Sequence, residues 1–83
     1  MDGTLDLDAL LSGTEAALYT GLTVAAITNW RTRGYRTPGG IRHLPVATDA
    51  HGREIRDAQG RPKYRLRDIL RADAATHARR RAA

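Results

Sequence analysis

The chain of 83 residues contains no cysteine, so neither a disulfide framework nor a cysteine-based metal site can hold it together. It also lacks an apolar run long enough to cross a membrane, and no charged start is followed by an apolar signal core. We therefore expect one small cytoplasmic domain with a modest hydrophobic core.

Basic residues are absent before Arg31, where the chain carries four acidic residues instead. From Arg31 onward there are 14 basic residues, all but one of them arginine, and five acidic ones. This asymmetry predicts a polyanionic partner for the second part of the chain, because arginine binds phosphates and guanine edges in a fork geometry. An arginine-rich codon bias is the alternative explanation.

Two short helices are predicted near the start. Ser12 and Glu15 have the spacing of a capping box, and Gly21 is suited to end the helix over roughly 13–20. Thr23 is suited to cap a second helix from 24 to about 33, which Gly34 would close. This spacing is typical of a helix-turn-helix.

The second helix has two distinct faces. Its apolar spacing predicts that Val24, Ile27, Trp30 and Arg31 point inward, with Trp30 as the large core side chain. The opposite face then carries small and polar residues, namely Ala25, Thr28, Asn29 and Thr32.

Residues 35–65 bear proline and glycine and lack a helical pattern. Residues 37–40 predict a turn, and a short repeat follows, in which residues 49–53 recur as 57–61. Each unit places Asp and Gly where a hairpin loop needs them. We expect a three-stranded meander with strands at 44–48, 53–56 and 62–65, and a disordered polar linker is the alternative.

The helical pattern returns at Leu66, with Leu66, Ile69 and Leu70 as an apolar patch. We therefore divide the chain into a mobile acidic N-terminus (1–9), a DNA-binding domain (10–73) and a basic C-terminal tail (74–83). The expected fold is α+β: a winged helix-turn-helix, in which a long β-hairpin or three-stranded wing and a C-terminal helix follow the helix-turn-helix.

Catalytic and cofactor motifs are missing from the sequence. The three histidines lack metal-ligand spacing, and turn capping accounts for Asp49 and Asp57. No Ser/His/Asp arrangement, phosphate-binding loop or dinucleotide fingerprint is present. We expect no enzymatic activity, no cofactor and no metal.

A winged helix-turn-helix places its second helix in the DNA major groove and its wing on the adjacent backbone or minor groove. We predict DNA contacts from one set of side chains on or beside the second helix and another in the wing. The first set is Thr23, Ala25, Thr28, Asn29, Arg31, Thr32 and Arg33, and the second is Arg36, Arg42, Arg53, Arg56, Arg61 and Lys63.

The segments 10–17, 21–23, 27–30, 33–34 and 63–70 together resemble the MerR-like winged helix-turn-helix family, in particular its small stand-alone members, the excisionases and BldC-like regulators. The resemblance covers roughly residues 10–72 and implies a phage or mobile-element protein near the nucleoid, acting as a transcriptional regulator or as an excisionase with an integrase partner. It puts Thr23, Ala25, Thr28, Asn29 and Thr32 on the reading face and Arg53 in the wing. The segment 35–65 is longer than the wing of those members.

Two other functions stay open at this point: the DNA-recognition subunit of a phage packaging terminase, and an antirepressor-type module that binds protein. The charge asymmetry also suggests an assembly, in which the acidic front of one protomer (Asp6, Asp8 and Glu15) faces the basic wing or tail of the next. Such contacts predict a monomer that binds DNA as head-to-tail copies of itself.

Overall fold

A computed structural model describes residues 6–82 of the chain and the side chains of residues 6–77. The expected mobility of residues 1–5 and the side chains of the arginines at 79–81 lie outside the described residues. Over the described range the fold is α+β, as predicted, with three helices and two antiparallel two-stranded sheets. In chain order these elements are β1 (Leu10–Ser12), α1 (Gly13–Thr20), α2 (Val24–Thr32), β2 (Tyr35–Thr37), β3 (Gly40–Arg42), β4 (Lys63–Arg65) and α3 (Leu66–Ala82).

The predicted ends of α1 and α2 are confirmed. The Ser12 side chain accepts a hydrogen bond from the Glu15 N–H at 3.1 Å, and the Glu15 carboxylate accepts one from the Ser12 N–H at 2.8 Å. Gly21 ends α1 in the left-handed conformation, and Thr23 caps α2 through a bond from the Ala26 N–H. Because each signal is local, the sequence was enough to place these helix ends.

The core lies where α1, α2 and α3 meet. Trp30 is only 6 % exposed and contacts Tyr35 edge to face, with ring centroids 6.2 Å apart. Ala16 leaves room for α2 to pack closely on α1, and Ile69 brings in α3. Leu66 is buried as predicted, whereas Leu70 is half-buried.

Sheet pairing brings distant parts of the chain together. β1 pairs antiparallel with β4, with Leu11 opposite Tyr64. Residues 6–9, which belong to the segment predicted to be mobile, are tied to the start of α3: the Leu66 and Arg67 N–H groups donate to the carbonyls of Ala9 and Leu7. The beginning of the described chain is therefore anchored beside β4 and the first turn of α3.

β2 and β3 form a hairpin directly after α2, where the sequence analysis predicted only the turn at 37–40. Gly34 makes the close approach possible. Its φ is +85°, and a Cβ there would lie 2.6 Å from the Arg42 carbonyl oxygen. The Leu44 N–H then donates to the Trp30 carbonyl, which fixes the hairpin to the C-terminal end of α2.

The prediction of a three-stranded meander was wrong in its strands and right in its turns. Asp49 and Asp57 each accept backbone N–H bonds within their turns, and Gly52 and Gly60 are left-handed. Between the turns only two isolated bridges form, Thr48–Glu54 and Arg56–Pro62, and 63–65 pairs with β1 instead.

A closed ring of hydrogen bonds accounts for this difference. The Ile55 N–H donates to the Ala47 carbonyl, the Lys63 N–H to the Ile55 carbonyl, and the Ala47 N–H to the Lys63 carbonyl. The three segments around these residues curl too tightly to form long ladders of strand hydrogen bonds. In addition, Pro62 lacks the backbone N–H that a strand ladder needs.

Val24 corrects the predicted inner face of α2, because it is 46 % exposed. It lies at the start of α2 beside Gly13, where a Cβ would be only 3.7 Å from the Val24 side chain. Glycine has no side chain to cover Val24, so the buried stripe of α2 narrows to Ile27 and Trp30.

Among the described residues, no helix is long and apolar enough to cross a membrane.

Candidate nucleic-acid interface

α2 presents to solvent the face that was predicted to read DNA bases. Ala25, Asn29 and Thr32 are exposed, and Thr28 is half-buried at the edge of the same face. We call these four residues the outward face of α2. The Thr32 hydroxyl donates to the Thr28 carbonyl at 3.0 Å, and no acidic residue belongs to the helix.

The stretch from residue 16 to residue 48 contains no Asp or Glu. It comprises α1 from residue 16 onward, the whole of α2 and the β2–β3 hairpin, and it carries Arg31, Arg33, Arg36 and Arg42. The last three are exposed, and none of them forms an ion pair within the described residues. These three arginines therefore keep their positive charge, an electrostatic footprint suited to a polyanion.

The other predicted wing residues have a different environment. Arg53 lies 3.9 Å from the Asp49 carboxylate, and Lys63 lies 3.7 Å from that of Glu15. Arg56 pairs with Glu54 and also donates to the Gly60 carbonyl. Exposed pairs of this kind are worth only about 0–1 kcal/mol, but each one offsets a charge.

A cleft of about 390 Å³ separates α2 from the 57–61 turn. It brings together Thr28, Arg31 and Arg61 of the predicted set, and Tyr64 lines it as well. The Arg31 Nε donates to the Tyr64 hydroxyl at 3.1 Å, so the structure holds Arg31 beside the cleft.

The predicted set therefore divides into groups. The outward face of α2, Arg33, Arg36 and Arg42 belong to the acid-free stretch, and Arg31 and Arg61 line the cleft. Arg53, Arg56 and Lys63 do not line the cleft, and each lies beside a carboxylate of the chain. The Thr23 hydroxyl accepts the Ala26 N–H and serves as a helix cap.

The acidic front predicted to face a neighbouring protomer is engaged within the chain. The Asp8 carboxylate lies 2.8 Å from an Arg67 guanidinium nitrogen. Glu15 takes part in the capping box, and the hydrogen bond from the Ser12 N–H lowers the pKa of its carboxyl, with a smaller contribution from Lys63. These carboxylates are thus less available to a second copy.

Sequence reasoning missed two features of this surface. One is Tyr64, whose contact with Arg31 spans 33 positions and leaves no local signal. The other is the acid-free stretch, which could have been recognised in the sequence from the positions of Asp and Glu alone.

Within the described residues, no cluster of three or more His, Asp or Glu could hold a metal ion.

Comparison of the chain with protein-family models, with curated proteins and with solved structures finds no match.

Proposed function

We propose that this protein binds double-stranded DNA as a winged helix-turn-helix, with α2 in the major groove and the β2–β3 hairpin on the adjacent backbone. The observation that carries the proposal is the acid-free stretch 16–48, which contains both elements. A DNA-binding surface must approach closely spaced phosphates, so the absence of carboxylates there matters as much as the presence of arginines.

The outward face of α2 has the chemistry to read bases. Asn29 is exposed and is suited to bond adenine through N6 and N7, and the Ala25 methyl is suited to contact a thymine methyl. Arg33, Arg36 and Arg42 would hold the phosphates on either side. Sequence-specific binding of this kind, together with the resemblance to small stand-alone MerR-like proteins, favours a transcriptional regulator or an excisionase.

A protein-binding module is the second candidate, because α1 exposes two large side chains. Leu18 is 79 % exposed and Tyr19 is 49 % exposed, next to each other on the helix. Adjacent exposed apolar side chains are a feature of protein contact sites.

Charge reversal at two matched positions tests the proposal. Arg36→Glu on the hairpin should weaken binding to a labelled random-sequence duplex by about tenfold or more, because it sets a carboxylate against a phosphate. Arg71→Glu makes the same change in net charge on α3, where Arg71 lies 3.9 Å from Asp68, and should change affinity by no more than about twofold.

Fluorescence anisotropy at physiological salt gives both affinities. If the wild-type protein forms no saturable complex with DNA, the proposal fails and the protein-binding module becomes the better candidate. Equal losses for Arg36→Glu and Arg71→Glu would mean that binding follows net charge and not this surface.

Base reading is tested separately at Asn29. On a duplex obtained by in vitro selection, Asn29→Ala should reduce the preference over a scrambled duplex by about 1–3 kcal/mol. Arg33→Ala should weaken binding to both duplexes by a similar factor, since phosphate contacts carry no sequence information. An unchanged preference for the Asn29 variant would assign the reading to another side chain.

A further inference from the structure

The cleft between α2 and the 57–61 turn has cationic side chains on two walls. Arg31 comes from α2 and Arg61 from the turn, and Thr28 links the cleft to the outward face of α2. The cleft is therefore continuous with the surface that we propose enters the major groove.

Arg31 is held in a way that leaves its binding atoms available. Its Nε donates to the Tyr64 hydroxyl at 3.1 Å, and Tyr64 itself is only 2 % exposed. The two terminal nitrogens form no ion pair within the described residues. A guanidinium fixed through Nε can still present both terminal nitrogens to an anion.

Arg61 projects from a turn with a fixed backbone. The Arg61 N–H donates to the Asp57 carboxylate at 2.9 Å, and the Asp57 N–H donates to the Arg61 carbonyl at 2.9 Å. Asp57 lines the cleft too, but its Oδ1 already accepts this bond and a second one from the Gln59 N–H. The two guanidiniums thus outweigh the single carboxylate.

The first repeat provides an internal comparison. Arg53 occupies the position of Arg61 in the 49–53 turn, with the same pair of backbone bonds to Asp49. It does not line the cleft, and its side chain is 77 % exposed beside the Asp49 carboxylate. Two arginines in nearly identical turns therefore differ in what their surroundings offer to an anion.

We propose that Arg31 and Arg61 together bind one backbone phosphate of the DNA in this cleft, with Tyr64 as the residue that positions Arg31. This inference rests on the proposed DNA-binding function and adds a phosphate contact to those proposed for Arg33, Arg36 and Arg42. The occupant that we propose is a phosphodiester, because the cleft shares Thr28 with the outward face of α2, which we propose enters the major groove.

The salt dependence of binding reports how many phosphates the protein neutralises and so tests the inference. For a random-sequence duplex, the slope of log affinity against log salt changes by about 0.9 for each phosphate that the protein no longer neutralises. Arg31→Gln and Arg61→Gln should each weaken binding about threefold to tenfold. The double variant should flatten the slope by about 0.9 in total, since both side chains bind the same phosphate.

Two further variants complete the design. Arg53→Gln, the matched control at an arginine that lies beside Asp49 and outside the cleft, should lower the affinity by no more than about twofold and change the slope less than Arg61→Gln does. Tyr64→Phe removes only the hydroxyl and should weaken binding about twofold to fivefold, and this effect should disappear when Arg31 is already glutamine. A merely structural role for the hydroxyl would produce the same weakening in both backgrounds.

The outcomes distinguish a failure of the DNA-binding function from a failure of the phosphate site alone. If wild-type protein does not bind the duplex, the DNA-binding function fails and the phosphate site fails with it. If wild-type binds but Arg61→Gln matches Arg53→Gln, only the phosphate site is wrong. A slope change of about 1.8 in the double variant would indicate two separate phosphates and overturn the shared site.

Discussion

The arginines of residues 16–48 and those of residues 49–77 differ in their electrostatic environment. In the second region four of the six arginines, Arg53, Arg56, Arg67 and Arg71, each lie within 4.0 Å of a carboxylate of the same chain. In the first region no acidic residue occurs, and the exposed arginines lack such a partner among the described residues. The distribution of acids therefore distinguishes the two regions better than the number of arginines does.

The same difference shows which part of the chain's positive charge is available to a partner. The net charge of +5 implies an attraction to polyanions but does not locate it. Asp49 offsets the charge of Arg53 in its own turn, and Glu15 and Asp8 offset those of Lys63 in β4 and Arg67 in α3. Among the described residues, the positive charge of the exposed arginines at the end of α2 and on the β2–β3 hairpin is not offset in this way.

The largest expected effect comes from the core beneath the acid-free surface. Trp30→Ala removes a buried ring that contacts Tyr35 and should cost about 3–5 kcal/mol, enough to unfold much of a domain this small. Chemical denaturation measures the decrease in the free energy of unfolding. A cost below about 1 kcal/mol would show that Trp30 is not a core residue and would overturn the orientation of α2.

The next effect concerns the attachment of the hairpin to α2. Gly34→Ala places a Cβ 2.6 Å from the Arg42 carbonyl oxygen in addition to the strain of a φ of +85°. Gly52→Ala is the matched control, because its φ is +80° and nothing lies within 4 Å of the added Cβ. The left-handed strain of each should cost about 1–3 kcal/mol, and Gly34→Ala should cost more.

Thermal denaturation and DNA-affinity measurements on both glycine variants show whether the position of the hairpin matters for binding. Gly34→Ala should also weaken DNA binding, since it displaces Arg42, whereas Gly52→Ala should not. Equal effects of the two variants on affinity would show that the hairpin position is unimportant for binding.

The smallest effect is a pH dependence at the acidic front. The hydrogen bond from Ser12 and the nearby Lys63 lower the pKa of Glu15 below its usual value of 4.5. A lowered pKa in the folded state stabilises the fold above pH 4.5, and this contribution is lost as the pH falls through the folded-state value. NMR titration of the Glu15 carboxyl should therefore give a midpoint below 4.5.

Glu15→Gln keeps a side chain that can accept the Ser12 N–H but has no titrating group, and it serves as the control. Its stability should fall less between pH 4.5 and lower pH than that of the wild-type protein. A midpoint at or above 4.5 would mean that the capping box does not persist in solution.

The sequence predicted the features that neighbouring residues determine. Ser12 and Glu15, three positions apart, define the start of α1, and Gly21 and Gly34 occur where the chain must turn left-handed. The same holds for Asp49 and Asp57, whose side chains accept N–H groups only two and four residues away. Local hydrogen bonds need no knowledge of the tertiary structure.

The features that the sequence did not predict depend on distant parts of the chain. Leu11 pairs with Tyr64 across more than fifty positions, in strands of three residues too short for a periodic pattern. The exposure of Val24 depends on Gly13 in another helix, and Arg31 depends on Tyr64. The candidate interface was therefore predictable on α2 and much less so in residues 49–65.

The comparison between the two regions is tested most directly by mapping amide chemical shifts of isotope-labelled protein as a random-sequence duplex is added. Shifts should concentrate in α2, in the β2–β3 hairpin and in the 57–61 turn, and the 49–53 turn and the exposed side of α3 should change little. Shifts centred on the 49–53 turn or on α3, or an unchanged spectrum, would contradict the account.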